Sequence, residues 1–262
     1  MFRLESYKAD IEQNWLVSQF ENFQFNEPFS GDKFVPRADI AIIFHFKETP
    51  LVLKEKNIKL KPFFATPILS RSLTLHCQGM MDSFVVICKP TVFSRIFNIN
   101  LSTNSEQIIN LPDPIFYPVW KDLSALKSLG ERISYFTRFI NQVQKTTYVP
   151  DAIDQLYNQI MAKGTTTLLK DLMLDCCACK RTLERNFLRR TGISSKTLVR
   201  IARLNYLLQK IKNKKVVDYQ DLVVVGNYFD QAHFINDFKD IIGETPGTFL
   251  KRDLQLTRMF SN

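Results

Sequence analysis

Tyr228-Phe229-Asp230-Gln231-Ala232-His233-Phe234-Ile235-Asn236-Asp237-Phe238-Lys239, followed by Gly243-Glu244-Thr245-Pro246, is the stretch on which the reading of this chain turns. Asp230 precedes an apolar pair, Phe234 and Phe238, at helical spacing, and its carboxylate suits the free amides of a first helical turn. Gly243 suits the left-handed position that ends such a helix. The same pattern stands 51 residues earlier, where Cys179, Leu183, Phe187 and Gly192 match Asp230, Phe234, Phe238 and Gly243. Each copy follows a short apolar segment and a turn: Leu168, Leu169, Leu172 and Met173 before the first, Leu222, Val223 and Val225 before the second. Between them Ser194 or Ser195 caps a helix of about 15 residues whose buried stripe is Leu198, Ile201, Leu204/Asn205, Leu208 and Ile211. Two helix-turn-helix units, near 167–192 and 218–243, joined by a linker helix, explain this spacing. A major groove about 12 Å wide admits one helix, and two helices on a rigid rod reach groove segments about 34 Å apart.

Charge points the same way. The chain of 262 residues has a net charge of +9; residues 1–160 hold 17 Lys+Arg against 16 Asp+Glu, and residues 161–262 hold 18 against 10. The basic rear predicts a polyanionic partner. In the first candidate recognition helix, Arg181, Glu184 and Arg185 share the side opposite Leu183 and Phe187; arginine suits guanine edges, and a glutamate accepts from cytosine. Lys180, Arg189 and Arg190 are read as phosphate contacts. In the second helix Gln231, Ala232, His233 and Asn236 are the base candidates, while Asp237 and Asp240 would repel phosphates unless they turn away or pair with Lys239. Lys196, Arg200, Lys239 and Thr245 complete the phosphate set. The bland alternative is a solvated basic face.

The front half reads differently. Ile40–Phe46, Leu51–Leu53, Ile68–Leu75 and Phe84–Cys88 are short, rich in β-branched and aromatic residues, and set apart by Pro, Gly, Asp and Asn. Residues 33–37, 48–50 and 112–114 each contain proline and mark turns or edges. An antiparallel barrel or sandwich is predicted. Leu123–Val143 then takes a period of three to four residues, which predicts one amphipathic helix, packed on the sheets or against a second copy of the chain. The fold class is α+β, with a barrel-like sensory or dimerisation domain over 1–148 and an all-α DNA-binding domain over 149–262.

Several functions are disfavoured. His45 and His76 belong to no metal-ligand spacing, and no nucleophile elbow, phosphate loop or dinucleotide fingerprint occurs, so no enzyme, metal or cofactor is expected. Three of the five cysteines crowd at 176, 177 and 179, too tightly for a redox or zinc motif, and are read as reduced thiols of a cytoplasmic protein. No apolar run nears the length of a membrane span, and no leader peptide is expected.

The run Arg181-Thr182-Leu183-Glu184-Arg185-Asn186-Phe187 with Thr191-Gly192-Ile193-Ser194, and the run from Tyr228 to Pro246, resemble the AraC/XylS family of bacterial transcription regulators. The resemblance covers residues 160–252. It implies that exposed residues of both second helices read double-stranded promoter DNA; by position these are Arg181, Glu184, Arg185, Gln231, Ala232 and Asn236. Asp82–Pro90 with Phe93 and Ile96-Phe97 is similar to the cupin-like sensory barrels of such regulators, which implies a small-molecule effector, homodimerisation and contact with RNA polymerase. The chain departs from the family pattern at Met173 and Val223, at Cys177 and Asn227 in the turns, at Cys179 before the first recognition helix and at Ser195. The competing reading is a non-enzymatic DNA-architecture or protein-interaction module with degraded base readout.

Overall fold

Sheet formation in the front half centres on strands buried along their whole length, such as Ile40–His45 and Phe63–Thr66. In the computed structural model, which describes residues 2–53, 57–103, 108–144, 147–163, 167–174, 179–211 and 219–251, five strands form one antiparallel sheet. They are β1 (Phe2–Lys8), β2 (Val17–Phe25), β4 (Ile40–His45), β7 (Phe63–Thr66) and β9 (Met81–Cys88), in the order β1-β2-β9-β4-β7. A second sheet orders β3 (Phe29–Phe34), β8 (Leu73–Cys77), β5 (Leu51–Leu53) and β6 (Ile58–Lys59) as β3-β8-β5-β6. Neither sheet closes on itself. The expected barrel or sandwich is therefore a sandwich, and a cupin-like barrel is not seen.

The first sheet is the middle layer of three. One face, carrying Phe20, Ile42, Phe44, Phe84 and Val86, packs on Phe93 of α1 (Pro90–Ile96), Phe116 of α2 (Asp113–Ala125) and Phe136 of α3 (Leu129–Val143). The other, carrying Phe23, Phe25, Ile43, Phe64, Val85 and Ile87, packs on Val52, Leu75 and Cys77 of the second sheet. All six residues of β4 are buried, which is why the segment reads as a continuous apolar run without alternation.

Three sequence expectations need correction. Leu123–Val143 is not one helix: α2 ends at Ala125 and α3 starts at Leu129. Ser128 accepts from the Glu131 amide while Glu131 reaches back to the Ser128 amide, a capping box that starts a helix where the apolar period runs on undisturbed. Pro112-Asp113-Pro114, read as a turn or edge, is the N-cap and the first two residues of α2, where proline's missing amide costs nothing. Ile68–Leu75 is also only partly strand, since β8 begins at Leu73. The 33–37 reading holds, because β3 ends at Phe34 and lies at the edge of its sheet.

The rear half is helical among its described residues: α4 (Ala152–Lys163), α5 (Leu169–Leu174), α6 (Lys180–Thr191), α7 (Ser195–Ile211), α8 (Tyr219–Val225), α9 (Gln231–Ile242) and α10 (Pro246–Phe249). Asp151 caps α4, accepting from the amides of Ile153 and Asp154. The long helix α7, capped by Ser194, is shared by two cores. Its first half gives Leu198 and Ile201 to a cluster with Leu156, Leu183 and Phe187; its second half gives Leu204 and Leu207 to a cluster with Leu222, Phe234 and Phe238. The Cys177 turn lies outside the described residues.

Candidate nucleic-acid interface

The 51-residue offset is reproduced in the second helix of each unit. Helices α6 and α9 each have 12 residues, and each ends on a glycine in the left-handed region, Gly192 at φ 82° and Gly243 at φ 84°. Their starts differ. Asp230 accepts from the His233 amide, whereas Cys179 makes no side-chain cap, so the first turn of α6 lacks a partner that α9 has. In the second turn Asn227 takes φ 51°, the left-handed conformation that asparagine tolerates.

On α6 the buried side is Leu183, Phe187, Arg190 and Thr191, and Lys180, Arg181, Glu184, Arg185 and Arg189 are all exposed. Arg181, Glu184 and Arg185 thus stand on the outer surface that a groove would meet. On α9, Gln231, Ala232, His233, Asn236 and Lys239 are exposed, while Phe234, Asp237 and Phe238 are buried. The His233 ring lies edge-on to Tyr228 at 5.2 Å and remains exposed. Lys196, on the first turn of α7, and Thr245, which caps α10 by accepting from the Thr248 amide, are also at the surface.

One phosphate candidate is corrected, and a second is found paired. Arg190 is buried: one terminal nitrogen donates to Asp151 at 2.7 Å, the other to Asp154 at 2.6 Å, and Nε donates to the Thr91 carbonyl at 3.0 Å. It fastens the end of α6 to α1 and α4 and has no donor left for DNA. Arg200 is occupied too, by Asp237 through Nε and by Asp240 through a terminal nitrogen at 2.7 Å. Sequence spacing on one helix could not reveal either pairing, because the carboxylates lie on other elements. The acidic residues of α9 are likewise settled, and not by Lys239. Asp237 turns inward and also accepts from Tyr228 Oη at 2.9 Å, while Asp240 is held below the usual carboxylate range chiefly by its hydrogen bond from Arg200.

The front sheets grip α9 as well. Lys33 Nζ donates to the Ile242 carbonyl at 2.9 Å, and the Ser72 amide donates to the Ile241 carbonyl at 2.9 Å. These are terminal carbonyls of a helix, which lack helical partners and attract cations. Lys33 and Ser72 are next in sequence to Phe34 and Leu73, a cross-strand pair on β3 and β8. That pair lines a cavity of about 40 Å³ between the two sheets.

The cavity is apolar except at a few points. Its walls include Phe23, Ile43, Phe64 and Val85, with Glu21, Arg37 and His45 as polar members. Burial raises the Glu21 carboxyl, against the pull of Arg37 at 3.2 Å. His45, edge-on to Phe23 and tilted against Phe64, meets Ser83 Oγ at 2.6 Å through Nδ1; its Nε2 has no partner, and burial pushes its pKa down to about 3. His45 is thus satisfied at one ring nitrogen only. Among the described residues no group of three or more His, Cys, Asp or Glu is placed to hold a metal, and no helix is long and apolar enough to cross a membrane.

Comparison with known proteins agrees with this architecture. Residues 177–252 match the family described as "Helix-turn-helix domain". No curated protein sequence matches the chain. Among solved structures the chain is similar to ToxT from Vibrio cholerae, at 12% identity and a TM-score of 0.51 over 95% of this chain and 98% of that one. A ToxT structure bound to (E)-4-(8-methylnaphthalen-1-yl)but-3-enoic acid gives 12% identity and a TM-score of 0.52 over 97% and 99%. Residues 177–252 thus match a helix-turn-helix family, and the chain as a whole shares the fold of ToxT.

Proposed function

We propose that this protein is a cytoplasmic, sequence-specific regulator of transcription that binds double-stranded promoter DNA through α6 and α9. The observation that carries this reading is the repeat of two equal helices with exposed polar faces, each packed by its inner face on one half of α7. Arg181, Glu184 and Arg185 read bases from the first helix, and Gln231, Ala232, His233 and Asn236 from the second. Lys180, Arg189, Lys196, Lys239 and Thr245 position the phosphates. The division falls near 148/149, and the outer faces of α2 and α3 serve a homodimer.

The front half, in this reading, senses a small molecule in the cavity between its sheets. At about 40 Å³ the space admits a water or two, against 300–1,000 Å³ for common ligand sites, so a ligand enters only as the sheets part. Parting them moves Phe34 and Leu73, hence the grip of Lys33 and Ser72 on α9. ToxT, which shares the fold, has been solved with a naphthyl-butenoic acid bound, and an apolar molecule suits the lining here.

Selection of bound fragments from genomic DNA tests the reading, repeated with and without a metabolite extract. It expects recovered sites bound at least about a thousandfold more tightly than random duplex. Equal affinity for every duplex would support instead an architectural module with degraded base readout, a role that the uncapped start of α6 favours.

A further inference from the structure

The loop between β7 and β8 carries a cation that recognition-helix reasoning does not find. Arg71, at the end of this loop, donates to Asp240 of α9 at 3.0 Å, and three-quarters of its side chain is exposed. The next residue, Ser72, ties the loop to α9 through the Ile241 carbonyl, so Arg71 is held beside the helix. Between them runs an open groove of about 390 Å³ lined by Arg71, Asn236, Lys239, Asp240 and Gly243. The carboxylate in this groove already has two arginine partners, Arg71 and Arg200. What the groove presents outward is therefore two cations, an amide and the bare backbone at Gly243.

We infer that Arg71, from the sheet half of the molecule, binds a DNA phosphate beside α9 together with Lys239. A recognition helix reads bases with its N-terminal residues, and whatever flanks its last turn faces the groove wall, where phosphates lie. The loop sits at that end. Gln231, Ala232, His233 and Asn236 stay exposed, so the loop flanks the reading face and does not cover it. Arg71 then exchanges one oxygen of a doubly paired carboxylate for a phosphate, and the sheet that walls the cavity touches DNA directly. This inference rests on the DNA-binding reading of α9.

The test uses the full chain and a random-sequence duplex, since a phosphate contact carries no sequence information. Binding is measured from 0.05 to 0.3 M salt, a range set on the order of those in which counterion release is read. Arg71→Gln should lower affinity several-fold and reduce the salt slope by about 0.9, the release expected for one phosphate. Asp240→Asn, which removes the carboxylate and keeps the arginine, should bind as tightly as the parent or more so. An unchanged slope in Arg71→Gln, or an equal loss in Asp240→Asn, overturns the inference and makes the pair a structural clasp only. If Arg185→Ala weakens binding while Arg71→Gln leaves the slope alone, this inference fails and the DNA-binding reading stands; a parent chain without affinity for duplex overturns both.

Discussion

Arg185 and Arg190 lie five residues apart on one helix, and their surroundings give them opposite tasks. Arg185 faces water, and its replacement by alanine should cost about 1–3 kcal/mol on a cognate duplex and relax one base preference. Equal losses on cognate and random DNA would move it to the phosphate set. Arg190→Ala leaves buried Asp154 without its closest cation and should destabilise the fold by about 3–5 kcal/mol, read as a lower urea midpoint. A variant as stable as the parent would contradict the pairing. His45 adds a pH dependence. Its pKa falls from an ordinary 6.5 to about 3 in the folded chain, so the unfolded chain gains a proton first as pH drops. Its contribution to stability is full above about pH 6.5 and shrinks below it by up to about 1.4 kcal/mol per pH unit. Urea midpoints should decline more steeply with acid in the parent than in His45→Gln; parallel declines would sink the assignment.

At the scale of elements, α6 and α9 end alike and are braced differently. A Cβ on Gly192 would stand 3.0 Å from the Leu101 carbonyl oxygen, whereas one on Gly243 would meet only Lys33 Nζ, the tip of a flexible chain, at 3.4 Å. Both alanines incur the left-handed strain of about 1–2 kcal/mol. Gly192→Ala must also shift backbone, so it should lower the thermal midpoint clearly more than Gly243→Ala; the reverse order would contradict the packing of α6 on residues 101–103. The repeat itself was legible in the sequence because glycine, capping residue and apolar pair sit at fixed offsets within one local motif. The split of α2 from α3 was legible only to a reader of caps, since Leu123, Leu126, Leu129 and Ile133 keep helical spacing across the break. Strands β2 and β3 escaped notice because Glu21 and Asn22 are buried within β2 and Asp32 is buried beside the bulge of β3, masking the alternation.

At the scale of the molecule, the front half holds the ends of both α6 and α9: α6 through Arg190 on Thr91 of α1, α9 through Lys33, Arg71 and Ser72 of the strands and the loop before β8. Composition and periodicity separated the neutral strand-rich half from the basic helical half, because each property is summed along the chain. They could not show the grip between the halves, which joins residues such as Lys33 and Ile242 that are 209 positions apart. The same blindness assigned buried Arg190 to DNA, missed the carboxylate partners of Arg200 and left Arg71 out. Held in this way, α6 and α9 form one rigid pair on α7, and the account depends on that pair meeting two successive segments of one groove. A hydroxyl-radical footprint of the full chain on its selected duplex tests this most directly. The account predicts two protected patches on one face, about 10 base pairs apart, with Arg185→Ala erasing the contrast in one of them and leaving the other. A single patch, unaffected by substitutions in one of the two helices, would contradict it.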